Sequence, residues 1–135
     1  MSYPAKVILA WSEAVAGNKT IREWLMKNGF PELGLFAYAV RNQDEARKWL
    51  MDNGFPHLQA TINGAEGNPK AVKWLIDNGY DMLAKVALSG DGNDEALDWL
   101  RKQGQREFAM LSLKIRFVKD EIERKNNDIH SISPD

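Results

Sequence analysis

No cysteine occurs among the 135 residues, which excludes disulfide frameworks, thiol catalysis and thiolate zinc sites. Imidazole is nearly as scarce: His57 and His130 are the whole supply. Neither has a second ligand at helical spacing, so both read as surface histidines, and no metal or cofactor is expected. Long apolar runs are missing too. Val7-Ile8-Leu9-Ala10-Trp11 follows a single lysine and is too short for a signal-peptide core, and nothing approaches the roughly 18 apolar residues of a membrane span. The address expected on this basis is cytoplasmic. Neither charge sign dominates: a formal net charge of -1 leaves the whole chain without electrostatic pull on nucleic acid or anionic lipid. What is present, 44% hydrophobic and 27% charged residues, is the composition of one ordinary globular domain.

Those residues are organised by a repeat. Tryptophan stands at 24, 49, 74 and 99, 25 residues apart each time, and each is followed by leucine. Glycine comes at 29, 54, 79 and 104, preceded by Asn28, Asn53 and Asn78 and then by Gln103. Phe30, Phe55 and Tyr80 are next, with Gln105 as the exception, and Leu33, Leu58, Leu83 and Phe108 complete the register. The repeat units run over about 18-42, 43-67, 68-92 and 93-117.

Each unit holds two short helical stretches. The first opens at Asn18, Gln43, Asn68 or Asn93, an N-cap column in which Gln43 is the weak member. Pro69 suits the first helical position, and Asp44, Glu45, Asp94 and Glu95 suit the positive end of the helix dipole. Its apolar stripe is Ile21/Trp24/Leu25, then Ala46/Trp49/Leu50, Ala71/Trp74/Leu75 and Ala96/Trp99/Leu100. That stripe predicts the interior tryptophans Trp49 and Trp74 in the core, with Trp11, in a terminal half unit, contributing less. A glycine in the left-handed conformation ends the stretch, and a Schellman motif would then pair Leu25 with Phe30, Leu50 with Phe55 and Leu75 with Tyr80. Gln105 predicts a looser fourth turn.

The second stretch starts at Pro31 or Pro56 and carries Leu33/Phe36/Ala37/Val40, Leu58/Thr61/Ile62/Ala65, Leu83/Val86/Ala87/Gly90 and Phe108/Leu111/Ser112/Ile115. Shifted back by 25 residues, Ile8/Trp11/Ser12/Val15 forms an N-terminal half unit. Helices of about ten residues are marginal alone, so these stripes must be buried between neighbours. The predicted fold is therefore all-α: an αα-hairpin solenoid of four 25-residue repeats with an N-terminal half repeat and a long C-terminal capping helix. Arg106 to about Lys125 reads as that helix, completing a single domain over 1-125, and 126-135 as a flexible tail.

The segments at 45-54 (EARKWLMDNG) and 69-79 (PKAVKWLIDNG) resemble the second helix of an ankyrin repeat, and Leu33 to Ala37 and Leu83 to Ala87 resemble its first. The similarity extends over residues 5 to 118. The period is 25 rather than about 33, the Thr-Pro-Leu-His segment is absent, and no residues remain for a β-hairpin finger. The chain thus resembles an ankyrin-like solenoid without fingers, with a generic short-helix solenoid as the alternative. The resemblance implies binding of other proteins rather than catalysis, and carries over no specific binding residues.

No Ser/His/Asp order or carboxylate pair stands out, so no enzyme activity is expected. Asp91-Gly92-Asn93-Asp94-Glu95 lacks the alternating acids of a calcium loop and coincides with a turn and a cap. Asn63-Gly64-Ala65-Glu66-Gly67-Asn68 has no Lys-Ser/Thr partner and no preceding strand, and reads as an inter-helix turn. Regularly spaced tryptophans suit base stacking, but their place beside leucine assigns them to the core. Residues 101–125 carry eight basic side chains against four acids, interleaved with Asp120, Glu121 and Glu123, which makes nucleic acid a distant alternative. On the face opposite the stripe, Leu35, Tyr38, Leu88, Met110, Leu113 and Phe117 are more apolar than a solvated face requires. They are the candidate partner-binding residues, with burial by stacking as the competing reading. Met110, Leu113 and Phe117 have no further repeat to cover them and suit docking to a partner helix or groove. The expected function is a non-catalytic protein- or peptide-binding scaffold. The alternatives are a homo-oligomer pairing through the last helix and, below it, an enzyme whose site is assembled across repeats.

Overall fold

The computed structural model describes residues 2–132, with backbone alone for 128–132, and these form nine α-helices and no strand. Five inner helices, α1 (Ala5–Ala16), α3 (Pro31–Val40), α5 (Pro56–Ala65), α7 (Asp81–Gly90) and α9 (Arg106–Ile132), alternate with four outer ones. The outer helices are α2 (Lys19–Lys27), α4 (Asp44–Asp52), α6 (Pro69–Asp77) and α8 (Asp94–Lys102). Segment 126–135, expected to be irregular, is helical as far as Ile132, and 133–135 lie outside the described residues.

The ends of the helices follow from their capping chemistry. At the close of each outer helix the N–H of Phe30, Phe55, Tyr80 or Gln105 donates to the carbonyl of Leu25, Leu50, Leu75 or Leu100 at 2.8–2.9 Å, the long bond of a Schellman motif. The expected looseness at Gln105 is absent: its bond is 2.9 Å, because the backbone geometry depends on Gly104, not on the apolar residue after it. The asparagine before each glycine has its own task, since Asn28, Asn53 and Asn78 each donate Nδ2 to the carbonyl of the tryptophan four residues back. Inner helices end the same way, with Asn18, Gln43, Asn68 and Asn93 donating backward through the backbone. Asn18, Asn68 and Asn93 then cap the next helix with Oδ1, while Gln43 makes no side-chain cap.

Packing turns the solenoid into a closed figure. Each inner helix packs on the next, and α9 packs along α1, so the five make a ring, with each outer helix seated over the seam between two inner ones. Trp11, Phe36, Thr61, Val86 and Leu111, one residue per inner helix at the same repeat position, are all fully buried, and Trp11 meets Phe36 edge-on with centroids 5.0 Å apart. Among the described residues the outer layer has nothing beyond it. Leu25, Leu50, Leu75 and Leu100 are therefore fully buried, while Trp24 and Trp74 are 47% and 38% exposed and Trp49 and Trp99 half-buried. The core assignment of Trp74 is corrected accordingly, while Trp49 packs against the core only half-buried: a nine-residue helix covered on one side buries the leucine and leaves its neighbour on the flank.

The last helix runs on because its stop signal is missing. Where Gly17, Asn42, Gly67 and Gly92 take positive φ, α9 has Phe117, and where the N-cap asparagines stand it has Val118, which is fully buried. The extension closes off one end of the ring. There the C-terminal carbonyls of four inner helices each receive a cation: Val15 from Arg41 Nη2 (3.2 Å), Ala39 from Arg47 Nε (3.0 Å), Ala65 from Lys119 Nζ (2.6 Å) and Ser89 from Arg116 Nε (2.5 Å). Positive charge at a helix C-terminus opposes the dipole's negative end and satisfies orphan acceptors. Each cation also pairs with a carboxylate, respectively Glu121, Glu66, Asp91 and Asp94. The Arg41 guanidinium holds the Glu121 carboxyl below its ordinary value.

Two stability outcomes are expected. Trp11→Ala removes a fully buried indole and costs about 3–5 kcal/mol, whereas Trp74→Ala costs less than half as much; denaturant titration of both measures the difference, and equal costs would contradict the layer assignment. Gly79 has φ 82° with open space around an added Cβ, so Gly79→Ala costs about 1 kcal/mol or more through backbone strain alone. A neutral or stabilising Gly79→Ala in the same titration rejects the left-handed turn.

Candidate binding surface

The six residues singled out in the sequence are divided among three places. Leu35 and Tyr38 are half-buried on α3 and form the floor of a groove of about 370 Å³, walled by Gln43, Glu45, Ala46 and Trp49 of the α4 region. Arg22 of α2 lies over the Tyr38 ring, 4.1 Å from its centroid, and fixes that ring from the other side. Leu88 is half-buried on α7, where Lys85 reaches to 5.3 Å over the Trp99 ring. Met110 and Phe117 are 40% and 45% exposed on the outer side of α9, but Leu113 packs against the core. The expectation that all three residues of α9 stand free is thus corrected for Leu113.

One repeat further on, the Trp49 groove has a counterpart of about 390 Å³ beside Trp74. Its walls are Met51 of α4 and Trp74, Ala71 and Lys70 of α6, and its floor is Gln59, Ala60 and Asn63 of α5. Gly64 sets the spacing: a Cβ there would come within 2.9 Å of Ala87 and 3.0 Å of Val72, so α5 and α6 sit closer than any larger residue would let them. The tryptophan walls are braced from behind. Trp49 stacks on Phe55 and Trp74 on Tyr80, with rings near-parallel at 5.8 and 6.1 Å. Met51 and Ile76, 55% and 52% exposed, hold the same repeat position beyond those tryptophans and extend the apolar strip across the outer face.

Several polar groups elsewhere are engaged within the fold. His57, expected at the surface, is half-buried and stacked on Tyr80 at 4.7 Å, and burial lowers its pKa from the ordinary value. Tyr3 donates its hydroxyl to buried Glu32 at 2.7 Å, and burial first, then that carboxylate, push its pKa well up. Asp91 and Asp94 of the would-be calcium loop face Lys119 and Arg116, which also draws two cations out of the basic excess of the last helix. Among the described residues no three His, Cys, Asp or Glu side chains gather to hold a metal ion, and no helix is long and apolar enough to cross a membrane. The side chain of His130 lies outside the described residues.

Sequence reasoning missed the outer grooves because it placed their tryptophan walls in the core. The signal was present in the column Met26, Met51, Ile76, which is apolar yet two residues beyond the tryptophan, off the buried stripe. Comparison with family models, with curated proteins and with solved structures matches the chain to none of them, so its function is argued from this surface alone.

Proposed function

We propose that the chain is a non-catalytic cytoplasmic scaffold, built on an ankyrin-like plan without fingers, that binds a protein or peptide across its tryptophan-walled outer face. The single observation that carries this reading is an exposed apolar pattern that repeats. Core packing accounts for a repeated leucine at zero exposure; it does not account for Trp24, Met51, Trp74 and Ile76 at 38% or more. Exposed aromatic and methionine side chains rimmed by charge are the composition of contact surfaces, and such anchors carry a disproportionate share of binding energy. The rim here is mixed, with Glu45 at one groove and Lys70 at the next, which suits a polypeptide better than a polyanion.

A second reading has its own support. The seam between α9 and α1 has no outer helix over it among the described residues, and Leu9, Met110 and Phe117 stand exposed there. Self-association through this seam is the homo-oligomer alternative. Lys114 weighs against it, because that repeat position is Ala14, Ala39, Gly64 or Ser89 elsewhere, and small residues are what let a further helix seat closely.

Panning a displayed library of short random peptides on the immobilised protein separates the two. Enriched peptides are expected to bind a Met51→Ser/Trp74→Ser variant about tenfold or more weakly, at unchanged helical circular dichroism. Absence of enrichment, or equal binding to the variant, overturns the outer-face reading. Light scattering that shows a dimer abolished by Met110→Ser/Phe117→Ser favours the alternative.

A further inference from the structure

The two grooves differ in one respect that bears on what they hold. Gln59 is 6% exposed, donates Nε2 to Asn63 Oδ1 at 2.9 Å, and leaves Oε1 buried without a hydrogen-bond partner. An unpaired buried carbonyl costs free energy that a native structure rarely leaves standing, unless a ligand or water completes it. Both residues line the Trp74 groove. The carboxamides are coupled in series, so the pair presents one spare acceptor, Gln59 Oε1, and one spare donor end, Asn63 Nδ2. Turning both amides over exchanges the roles and leaves the same complement of one donor and one acceptor. That is the pattern of a peptide group, which offers one N–H and one C=O.

We propose that the Trp74 groove is a subsite for the main chain of an extended peptide, with Gln59 Oε1 accepting a ligand N–H and Asn63 completing the pair. The inference rests on the peptide-binding reading above and makes it more specific. Met51 and Trp74 then flank the ligand's side chains, and Lys70, at the N-terminal turn of α6, favours an acidic residue next to the bound amide. The neighbouring groove, with Leu35, Tyr38 and Glu45 in place of Ala60, Asn63 and Lys70, takes an apolar side chain with a basic neighbour. The partner is therefore an extended segment with a basic-apolar part and an acidic part. A polynucleotide is disfavoured because Glu45 faces its backbone.

The first test uses the peptide group alone. N-methylacetamide titrated into the labelled full chain is expected to shift the side-chain amide resonances of Gln59 and Asn63 and the indole of Trp74 saturably. Methyl acetate, of the same shape without a donor, is expected to do so several-fold more weakly. Equal responses to the two, or none at these residues, overturn the subsite. The second test compares library-selected peptides on the native chain and on Gln59→Leu, which removes the unpaired acceptor. At least about tenfold weaker binding, with thermal stability equal or higher, supports the assignment; equal binding rejects it while leaving the scaffold reading intact. A library that yields no binder defeats both, and oligonucleotides that outcompete the selected peptides defeat the peptide assignment.

Discussion

Every reversal of this chain depends on one residue in the left-handed conformation. Gly17, Gly29, Asn42, Gly54, Gly67, Gly79, Gly92 and Gly104 all take positive φ, at intervals that alternate between 12 and 13 residues. Each lets a backbone N–H fold back onto the helix just completed, and the residue after it then opens the next helix. The layers, the ring and the grooves all inherit their spacing from that alternation. Phe117 occupies the next place in the series, and there the chain does not turn. A β-carbon and a bulky ring make the left-handed state costly, so the helix continues as the cheaper option.

What that continuation does is electrostatic as much as steric. A ring of parallel inner helices gathers several negative dipole ends on one side, and the apolar stripe offers nothing to neutralise them. Arg116 and Lys119 come from the last helix, while Arg41 comes from the turn between α3 and α4 and Arg47 from α4 itself. Since each is balanced by a carboxylate, the end of the ring is pinned without adding net charge. The bonds to backbone carbonyls are the stronger part of this arrangement, because exposed ion pairs on their own contribute little.

Local features were legible in the sequence and non-local ones were not. Asn-Gly with a following aromatic identifies a helix end within five residues, and the inner stripe from Ile8 through Ile115 is buried at nearly every predicted position. The outer stripe failed at Trp24 and Trp74 because spacing along a helix shows which residues share a face, not how much of that face has a neighbour. Leu25 and Trp24 are adjacent in sequence and lie on either side of the boundary. For the same reason Leu35 and Tyr38 were found and Gln59 was not: an apolar residue off the stripe is conspicuous, whereas a glutamine on a helix reads as solvated until packing shows it buried. The meeting of α1 with α9 had no local signature at all.

That meeting separates this array from open repeat proteins in how it can vary. An open stack tolerates gain or loss of a unit, because each unit touches only its neighbours. Here the first and last inner helices are also neighbours, so the angle turned per unit and the number of units must together complete one circuit. Duplicating or deleting a single 25-residue unit would leave α1 and α9 either separated or in collision. The unit count is thereby a fixed property of the fold, and change is channelled into the outer layer, where residues can be exchanged without altering the circuit.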